Sequence, residues 1–135
     1  MKYSLYVTGK CNDTRNFQSN IGIGGVILNN EGIEVSFSKN VGKGTCVEAH
    51  IYGLVHGITE ILKNKDADTI DIYVSNMNIV NYFNGKDIEV NSRTEILLSN
   101  LNNLIKILKI DIYFEYFEVN EYNYVRNLAE EALRL

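Results

Sequence analysis

The residue types that perform most protein chemistry are few in this 135-residue chain, and their spacing matches no common catalytic or metal-binding motif. His50 and His56 lie six positions apart in a predicted helix, so they do not share a face and are not expected to act as neighbouring ligands. Cys11 and Cys46 are 35 positions apart, which is not the spacing of a metal site. We expect both cysteines to be reduced, partly buried thiols rather than a disulfide.

The composition excludes several classes of protein. With 45% apolar and 22% charged residues, the chain is typical of a globular domain, and its length predicts one domain over 1–135. The net charge of -4 and the pI of about 5.2 exclude a generally basic nucleic-acid binder, so any phosphate contact must come from a local patch. No apolar run is long enough for a signal peptide or a membrane span. We therefore expect a cytoplasmic protein with no membrane partner.

The first half of the chain predicts three strands and a helix. Alternating or branched apolar residues mark strands at 2–7, 22–30 and 33–41, and the glycine-rich stretch GIGG within the second lacks the strand–loop–helix context of a phosphate-binding loop. Apolar residues then follow helical spacing over 45–64. Thr45 and Glu48 have the spacing of a capping box, which places the start of this helix.

The second half alternates strands and helices. Strands are predicted at 69–76 and 110–117 and helices at 92–109 and 121–135, with Ser92 and Glu95 as a second capping box. Ser75 or Asn76 is expected to cap a further short helix that ends at Gly85. This order predicts an α/β fold with a mixed five-stranded sheet, in which an antiparallel three-stranded meander and two parallel strands are flanked by helices.

This order and five local stretches resemble the ribonuclease H family over nearly the whole chain. The stretch YVTG is similar to the Y-x-D-G of the family's first strand, and IGIGGVILNNEG to its second strand and turn. VEAHIYGL resembles the family's E-x-x-A/Y-x-x-L helix, and IYVSNMNIVNYFNG its I-x-S-D-S-x-x-V stretch. The end, YVRNLAEEAL, is similar to A-D-x-L-A-x-x-A-L. The resemblance implies the ribonuclease H-like fold and, as the family's activity, metal-dependent cutting of the RNA strand of an RNA–DNA hybrid.

The family holds two divalent metals with four acids, and the resemblance puts those four positions at Thr8, Glu48, Asn76 and Arg126. Glu48 is thus the only retained acid of the catalytic set, and the other three are vestigial positions. Two Mg²⁺ at Glu48 and Arg126 would leave about four positive charges uncompensated. We therefore expect no cofactor, and Mg²⁺ or Mn²⁺ only if the site is active after all.

Each of these residues also has a purely structural interpretation. Glu48 completes a capping box, and Asn76 can cap the short helix. Arg126 is either a surface residue or a fixed positive charge that replaces the metals and contacts phosphate. Neighbouring acids, such as Asp13 after the first strand or Glu130 one helical turn after Arg126, are displaced too far to take over as metal ligands by our estimate.

The sequence contains candidate residues for contact with a nucleic-acid backbone. The family grips the nucleic-acid backbone through the turn after the first strand and the start of the first long helix. The resemblance therefore assigns nucleic-acid binding to a modest set of basic and amide side chains: Lys10, Asn12, Arg15, Asn16, Lys43 and Arg126.

Three functional hypotheses follow. The first is a ribonuclease H-like protein without catalysis that retains at most weak binding to an RNA–DNA hybrid or duplex backbone. The second is a protein-interaction or scaffold module with a protein partner. The third is an active metal-dependent hybrid ribonuclease with an altered site. The stretch EVNEYNY after the last strand lacks the histidine that many active members have there, which favours the first two.

Overall fold

The computed structural model describes residues 1–16 and 18–135, in which five strands and four helices form the framework. The strands are β1 Lys2–Cys11, β2 Ser19–Asn29, β3 Glu34–Gly44, β4 Thr69–Val74 and β5 Asp111–Tyr116. The helices are α1 Cys46–Leu62, α2 Met77–Phe83, α3 Ser92–Ile107 and α4 Asn123–Ala132, with a 3₁₀ turn at Val119–Glu121.

The strands form one mixed sheet in the order β3-β2-β1-β4-β5. β1, β2 and β3 are antiparallel neighbours, whereas β4 runs parallel to β1 and β5 runs parallel to β4. This arrangement confirms the predicted fold class. It follows from the connections, because tight turns join antiparallel strands and helical crossovers join parallel ones.

The core lies between the sheet and α1. Leu5, Val7, Ile70 and Ile72 alternate along β1 and β4 and are almost completely buried, in one apolar cluster with the inward positions of α1, α2 and α3. Helix α4 packs on the opposite face, over β1, β2 and β3. The two faces of β1 therefore point toward different helices.

Capping residues are predicted for the starts of three helices, and the structure has the predicted residue at two of them. The Thr45–Glu48 capping box is present at α1, and Asn76 caps α2 through its side-chain oxygen, which accepts from the Ile79 amide at 3.0 Å. The predicted Ser92–Glu95 box is wrong. Asn91 caps α3 instead, since its extended backbone lets its oxygen accept from the Thr94 amide at 2.8 Å.

Among the residues that the structure describes, no helix combines the length and apolarity needed to cross a membrane.

Candidate functional site

The start of α1 lies directly against β1 because Gly9 has no side chain. A Cβ at Gly9 would lie 2.4 Å from the backbone nitrogen of His50, which is closer than real contacts allow. The absence of that atom brings the first turns of α1, with Glu48 and His50, next to the carboxyl end of β1. Any larger residue at Gly9 would push the helix away from the sheet.

Cys11 and Cys46 join these two elements covalently. Cys11 ends β1 and Cys46 begins α1, and the two form a disulfide with a Cα–Cα distance of 5.0 Å. The expectation of reduced thiols is wrong in this structure, because the close approach of α1 to β1 brings together two residues that are distant in sequence. The cytoplasmic location, which depended partly on reduced thiols, stays an expectation without that support.

A second glycine places α4 on the other face. Gly24 pairs with Thr8 across β1 and β2, and a Cβ at Gly24 would lie 2.4 Å from the backbone nitrogen of Ala129. Helix α4 therefore rests almost on the backbone of β2. Arg126 precedes Ala129 by about one helical turn, so its side chain reaches the region of Thr8.

The carboxyl ends of β1 and β4 and the start of α4 enclose a cavity of about 240 Å³. Its polar lining consists of Thr8, Lys10, His50, Ser75, Asn120 and Arg126. Two of the four positions carried over from the resemblance, Thr8 and Arg126, thus share one cavity, together with the nucleic-acid-binding candidate Lys10. Glu48 and Asn76 do not line it.

A chain of hydrogen bonds crosses the floor of this cavity. Thr8 Oγ1 lies 2.7 Å from Ser75 Oγ, and Ser75 Oγ lies 3.1 Å from His50 Nε2. His50 Nδ1 lies 2.8 Å from the carbonyl oxygen of Cys46. That carbonyl can only accept, so Nδ1 carries the proton and Nε2 accepts from Ser75, which in turn accepts from Thr8.

His50 is held in its neutral form by its surroundings. Burial lowers its pKa, and the hydrogen bond to the Cys46 carbonyl opposes this only in part. This role could not be predicted from the sequence, because Cys46, Ser75 and Thr8 meet His50 only in the folded chain. The one hint was the position of Ser75 at the carboxyl end of a predicted parallel strand.

Arg126 places a positive charge at the cavity without a full set of partners. Within the described part of the chain, its Nε is buried and makes no hydrogen bond, while Nη1 donates to Asn120 Oδ1 at the long distance of 3.5 Å. Glu130 Oε1 lies 3.9 Å from Arg126 Nε and 3.4 Å from Lys10 Nζ. One carboxylate therefore faces two cations.

Glu48 is engaged elsewhere. It is 3% exposed, its Oε1 accepts from the Thr45 amide at 3.3 Å, and its Oε2 lies 2.9 Å from Arg93 Nε at the start of α3. The Oε2 contact is an ion pair without hydrogen-bond alignment. These contacts match the structural interpretation of Glu48, namely a capping residue whose charge is neutralised by a neighbouring helix.

The donor set differs from the four carboxylates of the resemblance. Thr8 and Asn76 are neutral, Arg126 is cationic, and Glu48 is paired. Of the nearby acids, Asp13 pairs with exposed Arg15 at 3.4 Å. In the ranges 1–16 and 18–135, no three His, Cys, Asp or Glu side chains come together in an arrangement that could hold a metal ion. These residues do not fit a pair of divalent cations.

The remaining nucleic-acid-binding candidates lie around the same end of the sheet. The Asn12 amide donates to the Asn20 carbonyl at 3.0 Å, and Asn20 pairs with Lys43 across β2 and β3. Asn12 and Lys43 are exposed, as are Arg15 and Asn16 in the turn after β1. Together with Lys10, they form an open rim of cationic and amide side chains beside the cavity.

No protein-family model matches the chain, and no curated protein matches it in sequence. Solved structures do match in fold. LC11-RNase H1 in complex with an RNA/DNA hybrid has a TM-score of 0.85 at 15% identity, with 98% of this chain and 96% of that chain covered. The N-terminal RNase H domain of Rv2228c from Mycobacterium tuberculosis has a TM-score of 0.82 at 16% identity, covering 98% and 99%. RNase H1 from the halophilic archaeon Halobacterium salinarum has a TM-score of 0.75 at 17% identity, with 99% of this chain and 98% of that chain covered.

These similarities extend over the full length of both chains, and together with the strand order they establish a ribonuclease H-like fold. At 15–17% identity they establish the fold alone.

Proposed function

We propose that this ribonuclease H-like domain binds the phosphate backbone of nucleic acid, as an RNA–DNA hybrid or a duplex, without cutting it by a two-metal reaction. The observation that supports this best is the position of Arg126. Its guanidinium enters the cavity beside Thr8, the place where the resemblance puts an acid and its metals, and Lys10 lines the same cavity.

Fixed cations can attract phosphate as metals do, but they do not activate water for attack. Two-metal cleavage needs a metal-bound nucleophile and a second ion at the leaving oxygen, and clustered carboxylates must hold both ions. Here the guanidinium would repel a divalent cation and instead suits bidentate contact with a phosphate. Thr8 and Ser75 line the same cavity, but their hydroxyl protons are used in the hydrogen bonds that lead to His50, so the contact with phosphate rests on Arg126 and Lys10.

The rim of Lys10, Asn12, Arg15, Asn16 and Lys43 extends the cationic surface beyond the cavity. Arg15 is paired with Asp13 and Lys10 with Glu130, so the effective charge is only a few units. Binding is therefore weak and strongly dependent on salt, because it rests on the release of a few counterions. The net charge of -4 opposes any contact outside this patch.

The choice of an RNA–DNA hybrid as the first ligand rests on similarity of fold. LC11-RNase H1, which shares the fold at a TM-score of 0.85, was solved in complex with an RNA/DNA hybrid. A hybrid is therefore the natural first probe for this chain, and duplex DNA of the same sequence is its control.

The test is fluorescence anisotropy with a labelled hybrid at low and at physiological salt. We expect binding at low salt that weakens steeply as salt rises, and about tenfold weaker binding after Arg126→Ala combined with Lys10→Ala. Lys106→Ala is the control for the loss of a lysine outside the proposed binding surface. Arg93, at the start of α3, contacts Glu48 near the start of α1, and Lys106 lies about 20 Å farther along α3. Absence of binding at low salt by a folded protein would contradict the proposal.

The active-nuclease hypothesis has its own measurement. A labelled hybrid is incubated with Mg²⁺ or Mn²⁺, and we expect no cleavage above a blank. Cleavage that is abolished by Glu48→Gln would overturn the proposal and identify Glu48 as a catalytic residue. Cleavage that survives Glu48→Gln would be traced to a contaminating nuclease by repeating the assay after a second purification.

A further inference from the structure

One face of the parallel part of the sheet is only partly covered by the described residues: at its β1 end, Phe117 and Tyr122 pack edge-on against Tyr6, with ring centroids 5.5 and 5.1 Å away. Residues of β4 and β5 such as Ile72, Val74 and Phe114 are buried on the side of α1, α2 and α3. On the other side α4 packs on β1, β2 and β3. Parallel strands in proteins are normally covered on both faces. The outer face of β4 and β5 is therefore a surface on which a covering layer is expected.

Tyrosines occupy this face in neighbouring strands. Tyr6 of β1 pairs in register with Tyr73 of β4, and their rings stack with centroids 4.4 Å apart and planes 7° apart. Tyr113 of β5 pairs with Asp71 of β4, and it is 58% exposed. Tyr113 is thus a diagonal neighbour of Tyr73, and we call the surface of these three tyrosines on β1, β4 and β5 the tyrosine face. Protein-binding surfaces are enriched in tyrosine.

Acidic side chains accompany the tyrosine face. A shallow cavity of about 260 Å³ is lined by Asp71, Tyr73, Tyr113 and Glu115, with Ile72. Asp111 is exposed two residues before Tyr113, which places it on the same side of the strand. Lys2 lies 3.2 Å from Asp71 and offsets one of these charges.

Charge determines which occupant suits this face. Nucleic acid is disfavoured, because its phosphates would meet Glu115 and Asp111 without cationic partners. A second copy of the chain is disfavoured for the same reason, since a two-fold contact would bring identical acidic groups together. Cationic side chains are favoured twice, by the carboxylates and by the faces of the tyrosine rings.

We propose that the tyrosine face docks a lysine- or arginine-rich segment of a partner protein. Neighbouring strands lie about 4.8 Å apart, and each residue adds about 3.3 Å to the length of a strand. The face of β4 and β5, with six residues in each strand, is therefore about as long as an extended segment of six residues. The partner's cations lie over Tyr113 and pair with Glu115 and Asp111, because Asp71 already pairs with Lys2 and Tyr6 covers one face of the Tyr73 ring. This surface is independent of the nucleic-acid contacts at Arg126 and Lys10.

The test uses two labelled synthetic peptides, one that alternates arginine or lysine with serine and one in which glutamate replaces every cation. We expect the basic peptide alone to bind, with backbone amide shifts in an NMR titration confined to β4, β5 and Tyr6. Tyr113→Ala and Glu115→Gln should each weaken binding about three- to tenfold. Tyr124→Ala is the matched control, an exposed tyrosine whose hydroxyl donates to Ser36 on the opposite edge strand.

Each of the following outcomes would overturn the proposal. One is that the basic peptide fails to bind, or binds the Tyr113→Ala protein as well as it binds the unchanged protein. Another is that the amide shifts map to the cavity of Arg126. The last is that sedimentation shows a dimer that Tyr113→Ala dissolves, which would assign the face to a second copy. Arg126→Ala should leave peptide binding unchanged, so this proposal and the nucleic-acid proposal can fail separately.

Discussion

The carboxylate of Glu130 lies one helical turn beyond Arg126, with Oε1 3.9 Å from Arg126 Nε. The same oxygen lies 3.4 Å from Lys10 Nζ, so Glu130 offsets the two cations that we propose contact phosphate. Glu130 therefore partly neutralises Lys10 and Arg126 and does not act as a metal ligand in our proposal.

Removing this carboxylate should strengthen nucleic-acid binding. With Glu130→Gln we expect the affinity for a hybrid to rise about two- to fivefold at low salt, because Arg126 and Lys10 lose a competing anion, and the gain should shrink as salt screens it. Anisotropy titrations measure the effect. Glu131→Gln makes the same charge change at the next residue, and an equal gain there would attribute the effect to net charge alone.

The buried His50 should make stability depend on pH. Burial lowers its pKa in the folded chain, so the unfolded chain binds the proton more readily. Stability should therefore be fully present above about pH 6.5 and fall as the pH drops below that value, by at most about 1.4 kcal/mol per pH unit for this residue. Urea unfolding at several pH values measures it.

His50→Gln should reduce that slope, although the variant is less stable at every pH because the hydrogen bond from Nδ1 to the Cys46 carbonyl is lost. His56 is the matched control. Burial and the nearby Lys39 also lower its pKa, but it is only partly buried, so His56→Gln should reduce the slope less. An unchanged slope in His50→Gln would show that His50 is not held neutral.

The disulfide should contribute strongly to stability. A bond that closes a loop of 35 residues stabilises by about 3–4 kcal/mol in the chain-entropy account, because it restricts the unfolded chain. The protein should therefore unfold at lower urea concentration when a reductant is present. The double variant Cys11→Ser, Cys46→Ser should unfold at that same lower urea concentration, with or without the reductant. Equal unfolding of the unchanged protein in both conditions would contradict the pairing.

Restoring the acids should restore a metal site if the carried-over positions are right. Thr8→Asp, Asn76→Asp and Arg126→Asp together supply three carboxylates at the positions that the resemblance groups with Glu48, and aspartate can still cap α2 at position 76. We expect Mn²⁺ binding measurable by calorimetry in the triple variant and none in the unchanged protein. A folded triple variant without Mn²⁺ binding would mean that these four residues do not correspond to the family's acids.

Local features of the chain could be predicted well. The capping box of Thr45 and Glu48 and the cap at Asn76 involve residues within three positions of one another, so the sequence contains both partners. The same rule failed at α3, where Asn91 and Ser92 are both good caps and the backbone of Asn91 decided between them. The order of the elements was sufficient to predict the mixed sheet.

Contacts between distant residues could not be predicted in this way. The disulfide, the hydrogen bonds from Thr8 through Ser75 to His50, and the ion pair of Lys10 with Glu130 link residues 25 to 120 positions apart. Two glycines permit these contacts, because the lack of a side chain at Gly9 lets α1 pack closely on the sheet and the lack of one at Gly24 does the same for α4.

The sequence by itself thus determined the elements and their order, since both depend on residue type and short-range spacing. Only the tertiary structure decided which polar groups meet at the end of β1 and which face of β4 and β5 stays exposed. The physical reason is that strand register and helix packing place side chains in space, and both depend on interactions across the whole chain.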